Sequence, residues 1–333
     1  MELLLPFQVI PSSQKISYAD KILFIGSCFT EEIGKMMIDL KFNVLQNPNG
    51  ILYDPLSIAS ALDSYIENKK YNENDLFLLN ELWHSWKHHS VFSGMSKEKV
   101  LQQINHSQSK AHQFLKEAAW LIITLGTSYN YQLKKSQQPV ANCHKAPQDF
   151  FEKKLLSIDE ITSHISNVIS KLHSYNSGLK IIFTISPVRH VRDGVIENNR
   201  SKARLIDAVH TVKENYKNVF YFPAYELIID VLRDYRFYKN DLVHPTETAT
   251  AFVFEKFCDA FLNDDASKLL KEIKSLVAAM NHKPFQKESE AHRKFQAAQL
   301  EKIQSIKKIS LQLILILKKN SFQRCQATKG SFR

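Results

Sequence analysis

Five short runs of apolar residues recur along the chain, and the segments between them carry apolar residues at helical spacing. The runs are Ile22 to Gly26, Phe42 to Leu45, Trp120 to Gly126, Lys180 to Ser186 and Val219 to Phe222. Within each run the apolar residues are continuous, not alternating, which is the pattern of a strand covered on both faces. After the first run, Phe29, Ile33, Met36, Met37 and Leu40 fall on one face of a helix. Ile158 to Leu172 and Ser201 to Tyr216 read as further helices. Beyond Pro245, the residues Ala249, Phe252, Val253, Phe257, Ala260 and Phe261 form a stripe, with Lys256 as its one polar intrusion. Strands that alternate with helices predict a doubly wound α/β fold around a parallel sheet. In such sheets functional groups gather at the carboxyl ends of the strands.

Residues 50–116 break the alternation. They hold Tyr53, Trp83, Trp86, His84, His88 and His89, and they read as an insertion that covers a sheet edge or walls a cleft. The expected organisation is one α/β domain over 1–265 and a basic, mostly helical extension over 266–333. The formal net charge is +10, but twelve lysines and arginines stand against three acidic residues from Lys283 onward, so the body is nearly neutral. A solvated helical face explains such a run, and no nucleic-acid-binding motif accompanies it. Apolar stretches such as Leu313 to Leu317 are far short of the roughly 20 residues of a membrane span. The start, Met1 to Ser12, lacks a basic segment and is broken by Pro6, unlike a secretory signal. Cys28, Cys143, Cys258 and Cys325 match neither a disulfide framework nor a zinc spacing. These features predict a reduced, cytoplasmic, soluble protein without metal or other cofactor.

The first run ends in Gly26-Ser27-Cys28-Phe29, where a helix starts at once. A serine there sits at a strand's carboxyl end and a helix N-terminus, where the dipole favours negative charge. Ser27 is therefore a candidate nucleophile whose backbone N–H can also stabilise an oxyanion; the alternative is a helix cap. A second element, Asp241-Leu242-Val243-His244-Pro245, precedes the last long helix. Pro245 suits the first turn of that helix and places His244 at its mouth. Asp241, three residues earlier, can accept a proton from one ring nitrogen and leave the other as a general base. Gly126 and Ser128, after the third run, and Gly50, after the second, are candidate oxyanion donors. Ordinary turns are the competing explanation.

These segments resemble the bacterial GSCFA family, here with Thr30 in place of the motif's final alanine. The resemblance extends through Asn47-Pro48-Asn49-Gly50-Ile51-Leu52-Tyr53, Thr124 to Ser128, Asn142-Cys143-His144-Lys145 and Ser186-Pro187-Val188-Arg189-His190. It continues through Asn199-Arg200-Ser201-Lys202-Ala203, Tyr221 to Glu226 and Asp241 to Pro245. It implies membership of the wider SGNH/GDSL hydrolase group. That in turn implies a three-layer α/β/α sandwich with a short parallel sheet. By the same resemblance Ser27 is the nucleophile, His244 the base and Asp241 its orienter. Gly50 and the Gly126 to Ser128 turn supply oxyanion donors. Two departures stand out. The group's Gly-Asp-Ser is Gly-Ser-Cys here, and the oxyanion asparagine expected near Ser128 is a serine.

Other constellations remain. Cys28 is an alternative nucleophile, because a helix N-terminus lowers a thiol's pKa. Asn142 and His144 are candidate substrate contacts. Cys143-His144 with His84, His88 and His89 matches no standard zinc pattern. Arg189, His190 and Arg200 flank the end of the fourth run and suit a carboxylate, phosphate or sugar oxygen, or else a salt-bridged surface. Trp83, Trp86, Tyr129 and Tyr131 suit a sugar ring or, more simply, aromatic packing. The expected function is a serine-dependent ester hydrolase, removing or transferring O-acyl groups on a carbohydrate. The rivals are a non-catalytic binding protein on the same fold and an interaction protein using its basic tail.

Overall fold

The computed structural model describes residues 5–281, 286 and 289–307. In chain order its elements begin with β1 (Lys21–Gly26), α1 (Cys28–Asp39), β2 (Asn43–Gln46) and α2 (Pro55–Glu67). A hairpin of β3 (Phe77–Leu79) and β4 (Leu82–His84) follows, then α3 (Lys97–Lys116) and β5 (Trp120–Leu125). Next come β6 (Tyr129–Leu133), β7 (Pro139–Val140), β8 (Phe151–Leu155), α4 (Ile158–Tyr175), β9 (Lys180–Ile185), α5 (Val195–Asn215) and β10 (Val219–Tyr221). The short α6 (Ala224–Glu226) runs into a π-helical turn, Leu227–Leu232. Then α7 (Glu247–Phe261), α8 (Asp264–Asn281) and α9 (Glu290–Lys307) complete the described chain.

All five apolar runs become strands of one parallel sheet, in the order β10-β9-β5-β1-β2. Successive side chains in a strand point to opposite faces, so a continuous apolar run feeds two cores. Ile22, Phe24, Trp120, Ile122 and Ile182 pack on one face with residues of α1, α7 and α8. Leu23, Ile25, Leu121, Ile123, Ile181 and Phe183 pack on the other with α2, α3, α4 and α5. The result is the expected three-layer α/β/α arrangement. Each fully buried Ile, Leu or Phe side chain contributes about 1.5–3 kcal/mol to it.

The structure departs from the sequence reading in several places. Residues 50–116 are not one insertion. Within them, α2 buries Ile58, Leu62 and Tyr65, and the end of α3 buries Ala111 and Leu115, all in the sheet's own core. Only the hairpin region between these helices is additional, and it has a small core of Tyr71, Leu76, Val100 and Ile104. A three-stranded antiparallel sheet, β7-β6-β8, follows β5. The helix after the fourth strand starts at Val195, ahead of the expected Ser201, because its first turn exposes Val195 and Ile196 and buries Asn198, so no apolar stripe marks it. The last long helix starts at Glu247 with Thr246 as its N-cap, whose hydroxyl accepts the Ala249 N–H at 3.3 Å. Pro245 therefore lies before the helix, where it bridges to Tyr238.

The boundary expected at 265 falls within the packed body, since Ala266, Leu269, Leu270, Ile273 and Leu276 of α8 belong to the core with α1 and α7. Among the described residues no helix is long and apolar enough to cross a membrane. Leu313 to Leu317, Cys325 and the polar end from Asn320 lie outside the described residues.

Candidate active site

The carboxyl ends of β1, β5 and β9 form a rim that carries Ser27, the turn at 126–128 and the segment 186–190. At the end of β1 the chain turns sharply into α1. Gly26 has φ 140°, and a Cβ there would lie 2.2 Å from the Thr124 carbonyl oxygen of β5. Only glycine fits that turn. The Gly26 N–H donates to Asn47 Oδ1 at 2.9 Å, which ties β1 to the loop after β2. Ser27 is the N-cap of α1, yet its side chain makes no capping bond. Its hydroxyl is enclosed, 1% of the residue is exposed, and no partner meets the oxygen. Cys28, the first helical residue, is only partly buried, and burial raises its thiol pKa despite the opposing pull of the helix N–H groups.

The loop before α7 holds the second element in the expected form. Asp241 Oδ1 accepts the N–H groups of Val243 at 2.9 Å and His244 at 3.0 Å, and Oδ2 accepts from His244 Nδ1 at 2.8 Å. These bonds, led by the two from the backbone, pull the Asp241 carboxyl down to about 2. With Nδ1 donating, Nε2 is left as the acceptor. The imidazole is 43% exposed, and Nε2 has no protein partner among the described residues. Arg189 holds this loop in place. Its backbone N–H and its guanidinium both reach the loop, at Val243 O and Leu242 O, 3.4 Å each, and the guanidinium lies over the Tyr238 ring at 4.4 Å. On the other side, Lys239 stands 3.7 Å from Glu32 of α1.

Two expectations need correction. Ser27 and His244 are not hydrogen-bonded, since the hydroxyl is enclosed without a partner. The anticipated oxyanion N–H donors are all engaged. Ser27 N–H donates to Thr124 O at 3.1 Å, Gly50 N–H to Asn47 O at 2.7 Å, Gly126 N–H to Tyr53 O at 2.8 Å, and Ser128 N–H to Ser201 Oγ at 2.8 Å. Ser128 is wholly buried, and its hydroxyl bonds to Ser201. Asn142 and His144, which line a cleft, also have partners within the protein. Asn142 Oδ1 accepts the His144 N–H at 2.8 Å, and His144 Nε2 meets Ser85 O at 2.9 Å. His144 packs among His84, Phe77 and Trp86, and burial lowers its pKa to about 4. Arg200 pairs with Glu197 on the surface, and Trp86 stacks on Phe77 at 3.6 Å.

The rim also contains Lys202, which the sequence left without a role, and His190, expected from the sequence as a substrate contact. Lys202 of α5 is 2% exposed and donates to Gly126 O at 2.6 Å and Ser186 O at 2.7 Å, the chain just past β5 and β9. Burial lowers its pKa to about 7, and Cys28 is the neighbouring group that raises it again. His190 is turned edge-on to Tyr53, 5.4 Å between ring centres, beside Gly126. Burial, then the charges of Lys202 and His244, bring His190 down to about 4. Burial, then Cys28, raises the Tyr53 hydroxyl to about 12. Cys28, Tyr53, Lys202, His190 and His244 thus form one electrostatically connected group. The cleft, of ≈ 740 Å³, is lined by Tyr131, Asn142, His144, Lys153, Arg192 and Asp193 among others. Lys153 and Asp193 of that cleft act on His190. No group of three or more metal-ligating side chains occurs among the described residues.

The chain belongs to the GSCFA family, whose model matches residues 21–257. A second model, the GSCFA domain protein C-terminal domain, matches residues 273–321. No curated protein matches the chain. Among solved structures it is similar to an acetyl xylan esterase from the rumen bacterium Butyrivibrio proteoclasticus, at 12% identity and a TM-score of 0.38, over 73% of this chain and 64% of that one. The chain therefore spans less than two thirds of that esterase's length. It is similar to a psychrotrophic esterase, EstA, from Pseudoalteromonas sp. at 10% identity and a TM-score of 0.34, over 73% and 96% of the two chains. It is also similar to a carbohydrate esterase family 3 protein from Talaromyces cellulolyticus, at 9% identity and 0.35, over 77% and 99%.

Proposed function

We propose that this member of the GSCFA family is an SGNH-type ester hydrolase or acyltransferase acting on O-acyl groups, with a carbohydrate as acceptor by family resemblance. The observation that carries the reading is the Asp241–His244 pair. A 2.8 Å hydrogen bond from Nδ1 to a carboxylate leaves Nε2 unpartnered on a ring open to solvent. That is the arrangement a general base needs. In this reading His244 takes the nucleophile's proton and returns it to the leaving alcohol, and Asp241 steadies the imidazolium between the two steps. The nucleophile comes from the Ser27–Cys28 turn at the head of α1, where the helix dipole favours developing negative charge. Esters of short acyl chains with an aryl alcohol are the first substrates to assay. His244→Ala is expected to lower turnover by about 10³-fold or more, with the thermal melt unchanged. Unaltered turnover in that variant would remove the base from the mechanism.

A second reading has one specific observation in its favour. The N–H groups of Ser27, Gly50, Gly126 and Ser128 are all engaged within the protein. Losing one oxyanion donor typically costs about 3 kcal/mol in the transition state. A binding protein on the same fold has no need of such donors. A folded chain that turns over no ester in a broad panel, yet retains a carbohydrate ester on a column, would favour binding over catalysis.

A further inference from the structure

We infer that the cleft between β8 and the turn after β9 is a subsite for the carboxylate of an acidic sugar, so that the acylated carbohydrate contains a uronic acid. The inference rests on the acyl-transfer reading and deepens it by naming the substrate class. Three observations carry it. First, the cleft, of ≈ 740 Å³, has the size of a ligand pocket and an uneven charge. Lys145, Lys153 and Arg192 line it against one acid, Asp193. Lys153 is ion-paired with Asp193, which leaves Lys145 and Arg192 without a carboxylate partner among the described residues. Glu197, in the first turn of α5, is likewise engaged, by Arg200 and the Tyr129 hydroxyl. Second, the neutral lining suits the rest of a sugar. Asn142 Oδ1 accepts the His144 N–H at 2.8 Å, so the Asn142 amide NH₂, unpartnered among the described residues, is left to donate to a hydroxyl. Tyr131 packs edge-on against Phe151, 6.3 Å between ring centres, and gives the cleft an aromatic wall. His144 is kept neutral near pH 7 by its burial and adds no charge.

Third, one short segment joins the cleft to the candidate base. The Arg189 N–H and guanidinium reach Val243 O and Leu242 O, at 3.4 Å each, in the loop that presents His244. Next in the chain, His190 stands beside Gly126, its ring centre 5.4 Å from that of Tyr53. Arg192 and Asp193 follow at once and line the cleft. From 189 to 193 the chain spans at most about 14 Å, even fully extended. The Lys153–Asp193 pair ties the far end of this segment to β8, where Lys153 also lies over the Tyr129 ring at 4.2 Å. An acid in the cleft and an ester at His244 are therefore within the reach of a short oligosaccharide. A guanidinium offers two parallel N–H groups that match the two oxygens of a carboxylate, and an ammonium adds a point charge. Arg192 supplies the first and Lys145 the second. No bond is made or broken in the cleft; its residues hold the substrate while the chemistry proceeds at the rim.

The full chain is tested first with ligands that carry no ester, so the outcome does not depend on turnover. By calorimetry, digalacturonate is expected to bind about tenfold or more tightly than the neutral digalactoside. Arg192→Ala and Lys145→Ala are each expected to weaken digalacturonate about tenfold, with the thermal melt unchanged because both side chains are exposed. Added salt is expected to weaken it further. Lys110→Ala removes an equal charge from the exposed face of α3 and is expected to bind as the unaltered chain does. Digalacturonate that binds no better than the digalactoside, or equally well after both cleft substitutions, overturns the inference. Galactose 6-phosphate held about tenfold more tightly than galacturonate overturns the choice of a carboxylate. A second measurement compares kcat/KM for an O-acetylated galacturonoside and the matching O-acetylated galactoside. The acidic ester is expected to be favoured about tenfold, and Arg192→Ala to abolish the preference through KM. Digalacturonate binding by a chain that hydrolyses neither ester supports the subsite and sinks the acyl-transfer reading. Equal hydrolysis of both esters without digalacturonate binding does the reverse.

Discussion

Single residues at the rim show how much of a site depends on partners distant in the chain. The Asp241–His244 pair was legible because both members lie three residues apart and their bond is local. The enclosure of Ser27 was not, since it depends on Thr124 and Asn47, which meet β1 only once the sheet forms. The same holds for the engaged N–H groups, whose acceptors belong to other segments. Gly26 gives the sharpest residue-level prediction. A methyl group there meets the Thr124 carbonyl at 2.2 Å, in a backbone conformation that alanine resists. Gly26→Ala is expected to lower stability by about 3 kcal/mol in urea denaturation. His190 gives a second. Its folded pKa, about 4, is depressed below its ordinary value of 6.5, chiefly by burial. A base of this kind binds its proton more weakly when folded, so stability is full above pH 6.5 and falls as pH drops from there toward 4. The slope is about 1.4 kcal/mol per pH unit for each such histidine. His144, at about 4, and His88, at about 3, share the sign. Urea midpoints at pH 7, 6 and 5 are expected to fall in that order, and His190→Gln is expected to flatten the decline.

At the level of elements, the strands were readable because a continuous apolar run has one good structural solution, a sheet buried on both faces. Four helices, α1, α4, α5 and α7, were readable by their apolar spacing. Among the elements that escaped, α2 has a cue that was visible: Asp54-Pro55 is an N-cap followed by proline at the first helical position. The buried role of Lys202 was legible in the same way. Asn198, Ser201, Lys202, Leu205, Ala208, Val209 and Val212 form the inward stripe of α5, so a lysine on that stripe has to be buried. The antiparallel β6–β8 sheet had no such signal, because its strands mix Tyr, Asn, Gln and Lys, and its pairing joins segments some twenty residues apart. Asp54 links the two systems. Its Oδ1 accepts Leu56 N–H at 3.1 Å, Ser57 N–H at 3.0 Å and Asn130 Nδ2 of β6 at 2.9 Å. Asp54→Ala leaves these buried donors unpaired and is expected to cost about 3 kcal/mol. Asp54→Asn keeps an acceptor oxygen in place and is expected to cost less than half of that. Equal losses in the two variants, measured by urea denaturation, would mean that the capping bonds contribute little.

The whole molecule is divided near where its charge changes. The basic excess begins at Lys283, and the core continues through α8 as far as Leu276, past the boundary expected at 265. The helix brings Ala266, Leu269, Leu270, Ile273 and Leu276 against α1 and α7, none of them more than 8% exposed. At about 1.5–3 kcal/mol for each large side chain, their removal withdraws an amount comparable to the 5–15 kcal/mol that holds a typical domain folded. It also strips one side of the layer that carries α7, and the loop that presents His244 runs directly into α7. A chain ending at 265 is therefore expected to lose its cooperative thermal melt and, with it, ester turnover. A chain ending at 281 keeps every one of those contacts and sheds the twelve basic residues, so it is expected to melt within about 3 °C of the full chain and to turn over ester at a similar rate. Near-equal melts for the two truncations would show that α8 is an appendage, and the line between body and extension would then belong at 265.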